Sequence, residues 1–266
     1  EPMLRTRILS ALVLLPIVAV LLYLGGWWFA GAVLVVAGLA VHELYSLLRQ
    51  AELAPQEIIG LLLVGALVLP PLVPSAGRWL ELIVTLCVAG ALVWHMFQPQ
   101  RSRPGVDALA TLAGALSVGW MGRHFVALRL APLGLPWTAL ALLSTWITDS
   151  GAYFVGRRWG RRPLAPRLSP KKTWEGAVGG WLTGVVLTPA VAWLLGLSPW
   201  HGLALGAIIA TVAPFGDLAE SVFKRQVGAK DSSNLIPGHG GMLDRIDSLL
   251  FVVPSAYYYL LLAGVI

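Results

Sequence analysis

Charge is what this chain has little of. Of its 266 residues only 12% are Asp, Glu, Lys or Arg, while 57% are hydrophobic and the mean hydropathy is +0.76. A soluble domain carries about 25% charged residues, so a water-soluble globular fold is excluded and an integral membrane protein is expected. Cysteine is also scarce. Cys87 stands alone in an apolar run, which excludes a disulfide framework and a cysteine-ligated metal site. No polar stretch is long enough for a separate soluble domain, and no internal repeat or low-complexity segment is evident. An inverted-repeat transporter therefore has little support.

What the chain has instead is a series of apolar runs, each near the roughly 20 residues that one bilayer-crossing helix needs. Candidate spans are 8–24, 27–48, 58–74, 79–97, 107–122, 136–156, 175–195, 201–217 and 249–266. The expected fold class is all-α, a polytopic membrane protein of about nine transmembrane helices in one membrane domain, 1–266. Residues 1–130 would serve mainly as scaffold and 136–266 as the chemical half. Glu1-Pro2 ahead of Met3 is set aside as extraneous, and the run from Ile8 is read as a retained first helix because no small-residue cleavage site follows it. Basic residues gather in cytoplasmic loops. With the amino terminus in the cytoplasm, 16 of 19 Lys and Arg agree, and only Arg78, Arg123 and Arg129 fall outside. Residues 120–135, where Arg123, His124 and Arg129 interrupt the apolar pattern, are expected to form an interfacial helix or a bent span. The compact length suggests the inner membrane of a bacterium.

The acids divide unevenly. Those of the first half, Glu43, Glu52, Glu57, Glu81 and Asp107, lie at or near span ends or in loops, and His42-Glu43 is read as a buried structural pair. The second half holds Asp149, Glu175, Asp217, Glu220, Asp231, Asp244 and Asp247. Asp149, Tyr153 and Gly156 fall at i, i+4 and i+7 of the sixth span, and an ionisable group inside an apolar stretch is a functional candidate by default. Seven of the 16 residues from Arg157 to Lys172 are basic, a density that attracts anionic headgroups or phosphates. Within that stretch the Ser169-Pro170-Lys171-Lys172-Thr173 turn, just before a helix start, is a candidate phosphate cradle.

Residues 217–247 are the richest segment, with five acids, four bases, four glycines and His239. Asp217, Glu220, Ser221 and Lys224 share one helix face at i, i+3, i+4 and i+7, and Asp244 and Asp247 share another at i, i+3. Pro237-Gly238-His239-Gly240-Gly241 reads as a loop of exposed amides suited to an anion. His239 has three open roles: positioning a phosphate, acting as a base, or capping a turn. Carboxylates in this number suggest Mg2+, which is normally held by one or two of them plus substrate phosphates. Acids for a metal and bases for phosphates together describe phosphoryl or nucleotidyl transfer. Two other readings stay open at this level: a solvated, salt-bridged loop, and a transporter coupled through Asp149 and Asp217.

The run Ser221-x-x-Lys224-Arg225, Lys230-Asp231, then Ile236-Pro237-x-His239-Gly240-Gly241-x-x-Asp244-Arg245-x-Asp247 resembles the signature of the phosphatidate cytidylyltransferases, or CDP-diacylglycerol synthases. Asp149-Ser150-Gly151-Ala152-Tyr153, Ser169 to Thr173 and Gly216-Asp217-Leu218 look like the same family. The resemblance is strong over about 145–250 and only general before residue 120. It implies transfer of a cytidylyl group from CTP to phosphatidic acid, giving CDP-diacylglycerol and pyrophosphate. Carried over by position, Asp217, Asp244, Asp247, Lys224 and His239 are the expected catalytic residues. Lys171, Lys172, Ser221, Arg225, Lys230 and Arg245 would bind the phosphates, and Asp217, Asp244, Asp149 and Asp247 the metal; Glu175 is a weaker candidate. The resemblance further implies a homodimer and a mixed centre of Mg2+ with a monovalent cation such as K+. No nucleic acid partner is expected. The CDP-alcohol phosphotransferases are disfavoured, since no Asp-Gly-x-x-Ala-Arg run is present.

Overall fold

The computed structural model describes residues 2–73, 75, 77–98 and 103–266, without the side chains of 2–9, 11 and 78. Arg5, Arg7, Arg78 and Arg101, all part of the charge distribution above, thus lie outside what is described at side-chain level. Among the described residues there are nine helices: α1 (Pro2–Leu24), α2 (Gly26–Gln50), α3 (Glu57–Val68), α4 (Gly77–Met96), α5 (Pro104–Leu130), α6 (Gly134–Trp159), α7 (Trp174–Leu194), α8 (Pro199–Gln226) and α9 (Leu243–Leu262). Among the described residues the sheet is an antiparallel hairpin of β1 (Pro163–Ala165) and β2 (Ser169–Thr173). Every apolar run has become a helix. Four of these, Gly26–Gln50, Trp79–Met96, Trp174–Leu194 and Pro199–Gln226, are long and apolar enough to cross a membrane, with Leu12–Leu24 and Glu57–Val68 as shorter apolar helices. Large apolar side chains such as Trp27, Trp28, Leu62 and Val186 stay exposed, an arrangement that water would penalise and lipid tolerates. The chain is an integral membrane protein.

The helices divide into two compact units, Glu1–Leu130 with Phe223–Arg245, and Ala131–Val222 with Ile246–Ile266. In the first unit α5 packs against α2, α3 and α4. Tyr45 is fully buried there and donates its hydroxyl to the Thr111 carbonyl. Asp107 and Thr111 of α5 accept from the amides of Ala54 (2.7 Å) and Gln56 (2.8 Å), which fixes the turn between α2 and α3. Residues 120–130 are helical and continue α5. Arg123 is accommodated by stacking 4.7 Å from the Trp120 ring, and Arg129 donates to the Leu22 (2.7 Å) and Tyr23 (3.1 Å) carbonyls at the end of α1. A cation on the last carbonyls of a helix satisfies them and complements the dipole.

The second unit is built on glycine. Gly176, Gly180 and Gly184 recur every fourth residue on α7, and a methyl group at any of them would run into α6 at the Ala152 carbonyl (2.9 Å), the Thr148 carbonyl (2.8 Å) or the Thr148 hydroxyl (2.6 Å). Between lipid-facing helices there is no hydrophobic drive to associate, so close backbone approach and dispersion hold them together. The Ser169 to Thr173 segment, expected as a turn, is the second strand of the hairpin and runs straight into α7. Thr173 caps that helix, its hydroxyl accepting from the Gly176 amide (3.1 Å). Glu175 accepts from the amides of Arg161 (2.9 Å) and Arg162 (3.1 Å) and so ties down the start of the basic stretch.

Candidate active site

The second unit carries the first group of expected residues. Asp217 lies in α8, three residues after Pro214 and next to Gly216. At Gly216 a side chain would strike the Asp247 carbonyl at 2.5 Å, so α9 crosses α8 here at backbone contact. That crossing sets the residue before Asp217 against the backbone of Asp247. Lys172, at the end of β2, forms an ion pair with Asp217 Oδ2, both groups about one third exposed, and the Ser221 hydroxyl lies 3.5 Å from Oδ1. Asp247 accepts from its neighbour's amide, Ser248, at 2.6 Å. Lys171 and Asp149 are exposed, and Tyr153, one turn after Asp149, accepts from Arg157 at 3.1 Å. Glu220 is buried in α8.

The first unit carries the second group. Lys224, at the end of α8, donates to Asp244 Oδ1 at 2.7 Å with side chains only 8% and 5% exposed. Asp244 Oδ2 accepts from the Ser232 amide (2.8 Å) and the Gly241 amide (2.8 Å), and lies 2.9 Å from the Ser232 hydroxyl, whose single proton it shares with Glu43. Burial alone would raise the Asp244 carboxyl, but the Lys224 ammonium and the Gly241 and Ser232 amides outweigh it and hold the group below the usual carboxylate range. Arg225 is exposed and donates to the Ala229 carbonyl (2.6 Å), closing the end of α8. Lys230, Asp231 and Arg245 are exposed.

The glycine-rich loop folds on itself. Ile236 to His239 is a β-turn closed by the His239 amide on the Ile236 carbonyl (2.9 Å), with Pro237 at its first corner and Gly238 at φ +77 at its second, the position that calls for glycine. The Ile236 amide returns to the Gly240 carbonyl (2.8 Å). An open row of amides is therefore not what the loop presents at His239 and Gly241, whose N–H groups are taken by Ile236 and Asp244. The His239 ring is half-buried, with Nδ1 2.7 Å from the Ser10 hydroxyl on α1.

His42 and Glu43 are not a pair. Neighbours on a helix point about 100° apart, and here His42 is exposed and bonded to Glu57, while Glu43 is 3% exposed and reaches Ser232, Ser233, Met242 and Leu243. Ser232 and Ser233 are the residues that sequence reasoning passed over, and Glu43, read there as half of a buried pair, is buried but bonded elsewhere. The one available signal was an acid within an apolar helix.

A divalent cation would find only hard oxygen donors. Among the described residues no three His, Cys, Asp or Glu side chains converge, so a Mg2+ ion would have to be held by one or two carboxylates and completed by substrate phosphates and water. Asp217, partly exposed and already partnered by a cation, fits that role. Asp244 offers only Oδ1, which already accepts from Lys224, because Oδ2 is taken by the Ser232 and Gly241 amides.

Comparison with known proteins agrees over nearly the whole length. The sequence profile described as the cytidylyltransferase family matches residues 5–263. The chain is 34% identical over 292 residues to a phosphatidate cytidylyltransferase of Synechocystis sp., covering 96% of each. It is 35% identical over 263 residues to that of Bacillus subtilis, covering 97% of this chain and 96% of the relative. With that of Pseudomonas aeruginosa it shares 37% identity over 280 residues, covering 98% of each. Since the match takes in the apolar first half as well as the segment where the charged residues pair, the chain belongs to the cytidylyltransferase family.

Proposed function

We propose that this chain transfers a cytidylyl group from CTP to phosphatidic acid, releasing CDP-diacylglycerol and pyrophosphate. The observation that carries the reading is the near full-length relationship to phosphatidate cytidylyltransferases in a chain whose signature acids and bases are paired, Lys172 with Asp217 and Lys224 with Asp244. An oxygen of the lipid phosphate attacks the α-phosphorus of CTP. The bond from that phosphorus to the oxygen bridging to the β-phosphate breaks, and pyrophosphate leaves with that oxygen. The lipid phosphate is ionised at neutral pH, so no strong base is needed, and the work is alignment and charge neutralisation.

Lys224, fixed by Asp244, and Lys172, fixed by Asp217, are pre-oriented ammonium groups for the phosphates, so their placement costs little at the moment of reaction. Exposed Lys171, Arg225, Lys230 and Arg245 draw the triphosphate and the lipid headgroup, Ser221 supports Asp217, and His239, anchored to Ser10, orients its own loop. Asp217 with Asp247 would hold Mg2+, which would supply neutralisation of phosphate charge, Asp149 and Asp244 being the alternative carboxylates for it. In this reading nine spans run from a cytoplasmic amino terminus, the site faces the cytoplasm of a bacterial inner membrane, a monovalent cation such as K+ accompanies Mg2+, and the chain is a homodimer.

The test is acceptor and nucleotide choice. Purified protein in detergent is given CTP, ATP or GTP with phosphatidic acid, an ether-linked lipid phosphate, a polyprenol, or no lipid, and pyrophosphate is measured. Release only with CTP and phosphatidic acid is the expected result. Release with polyprenol or ether lipid in preference, or ion flux in proteoliposomes without pyrophosphate, would overturn the assignment.

A further inference from the structure

The signature loop is held from outside the signature. Glu43 lies in α2, seven residues before its end, about 10 Å along the axis by helical rise, and is 3% exposed. Both of its oxygens are filled. Oε1 accepts from the Ser233 hydroxyl (2.6 Å) and the Met242 amide (2.9 Å), and Oε2 from the Ser232 hydroxyl (2.8 Å) and the Leu243 amide (2.8 Å). Leu243 is the first residue of α9, and the opening N–H groups of a helix have no partner within it. A local cap would come from Ser, Thr, Asp or Asn at the position before the helix. That position is Met242, whose side chain cannot cap, so α9 takes its cap from a helix about 200 residues earlier in the chain.

The consequence reaches the charged pair directly. Ser232 stands between the two carboxylates, its hydroxyl 2.8 Å from Glu43 and 2.9 Å from Asp244, and its amide on Asp244 as well. Asp244 is the second residue of the helix that Glu43 caps, and it is the partner of Lys224. A buried carboxylate in an apolar helix is costly unless its bonds are all met, and these four bonds meet it.

We propose that Glu43 is a positioning residue for cytidylyl transfer. It touches no substrate; by capping α9 and holding Ser232 and Ser233 it sets the placement of Asp244 and through it Lys224. The proposal rests on the functional reading above, and its test separates the two. Wild type, Glu43→Gln, Ser233→Ala and, as a control on the same helix, His42→Gln are compared as full chains in detergent. The readings are kcat and KM for CTP per folded molecule, and the rate of tryptic cleavage at exposed Lys230 well below the unfolding temperature.

Gln keeps the shape of Glu but offers an NH2 to one of the two donor pairs. Glu43→Gln should lower kcat about 30- to 100-fold with the CTP KM changed less than about threefold, as a small misplacement of charged groups does. Cleavage at Lys230 should rise about tenfold as the loop opens locally. Ser233→Ala should move both in the same direction by less, and His42→Gln should stay within about twofold. A purely structural role would reduce the folded fraction and leave these per-molecule values alone. Glu43→Gln with kcat within about threefold of wild type, or with lost kcat and unchanged cleavage, overturns the proposal. If Glu43→Gln does not fold, Ser233→Ala decides, and no change in either reading overturns it. If wild type makes no CDP-diacylglycerol, the functional reading fails with the catalytic part of this proposal, and cleavage alone decides whether Glu43 holds the loop.

Discussion

Replacing Lys224 with Met keeps the length of the side chain and removes its charge. Asp244 would then remain 5% exposed with the Ser232 and Gly241 donors on Oδ2 and no counter-charge on Oδ1. Breaking a buried pair from one side costs about 3–5 kcal/mol. The Ser232 and Gly241 amides keep Oδ2 satisfied, so a net loss of about 2–3 kcal/mol is expected, the scale of one charged hydrogen bond. For a chain of this size that corresponds to a fall in Tm of about 5–10 °C, read by intrinsic tryptophan fluorescence in detergent. The pH dependence has a definite sign. Asp244 is held below its ordinary value of 3.8, so its pairing stabilises the fold fully above that value and the contribution is lost as pH falls through the folded pKa. The gap between wild type and Lys224→Met should therefore be constant from about pH 8 to 5 and close only below about 3.8. A Tm within about 2 °C of wild type, or a gap that closes between pH 8 and 5, would refute the reasoning.

Three further outcomes follow from the same geometry. Gly216→Ala places a carbon 2.5 Å from the Asp247 carbonyl, forces α8 and α9 apart beside Asp217, and should lower kcat at least about tenfold, since a shift near 1 Å is costly; activity equal to wild type would remove Asp217 and Asp247 from a shared role. Arg129→Met uncaps α1 and should cost about 1–3 kcal/mol, or about 3–8 °C in Tm, with kcat within about twofold of wild type. Chelation with EDTA should abolish pyrophosphate release, and Mg2+ should restore it; full activity after chelation would count against the carboxylates as metal ligands.

The helices were legible because apolar length alone decides them in a membrane. That Asp217, Glu220, Ser221 and Lys224 lie on one continuous helix was legible too, because α8 runs unbroken through all four. The hairpin was not. Pro163, Pro166 and Pro170 with their basic neighbours show no alternation of apolar and polar residues, and the strands pair only because α7 and Glu175 hold their ends. Residues 120–130 misled because Arg123 and Arg129 look like a break in the apolar pattern; a Trp120 ring and the end of α1 supply their partners, which local sequence cannot reveal. Glu43 is the clearest case of that limit, because all four groups it binds lie at least 189 residues away.

The central claim is tested most directly by mass spectrometry of the lipid product formed from CTP, phosphatidic acid and Mg2+ by wild type and by Asp217→Asn. The account predicts CDP-diacylglycerol and pyrophosphate in equal amounts from wild type and at least about a hundredfold less from Asp217→Asn, the scale of losing one charge-stabilising group at the reacting centre. Product at the wild-type rate from Asp217→Asn would contradict the site, and no CDP-diacylglycerol from folded wild type would contradict the function.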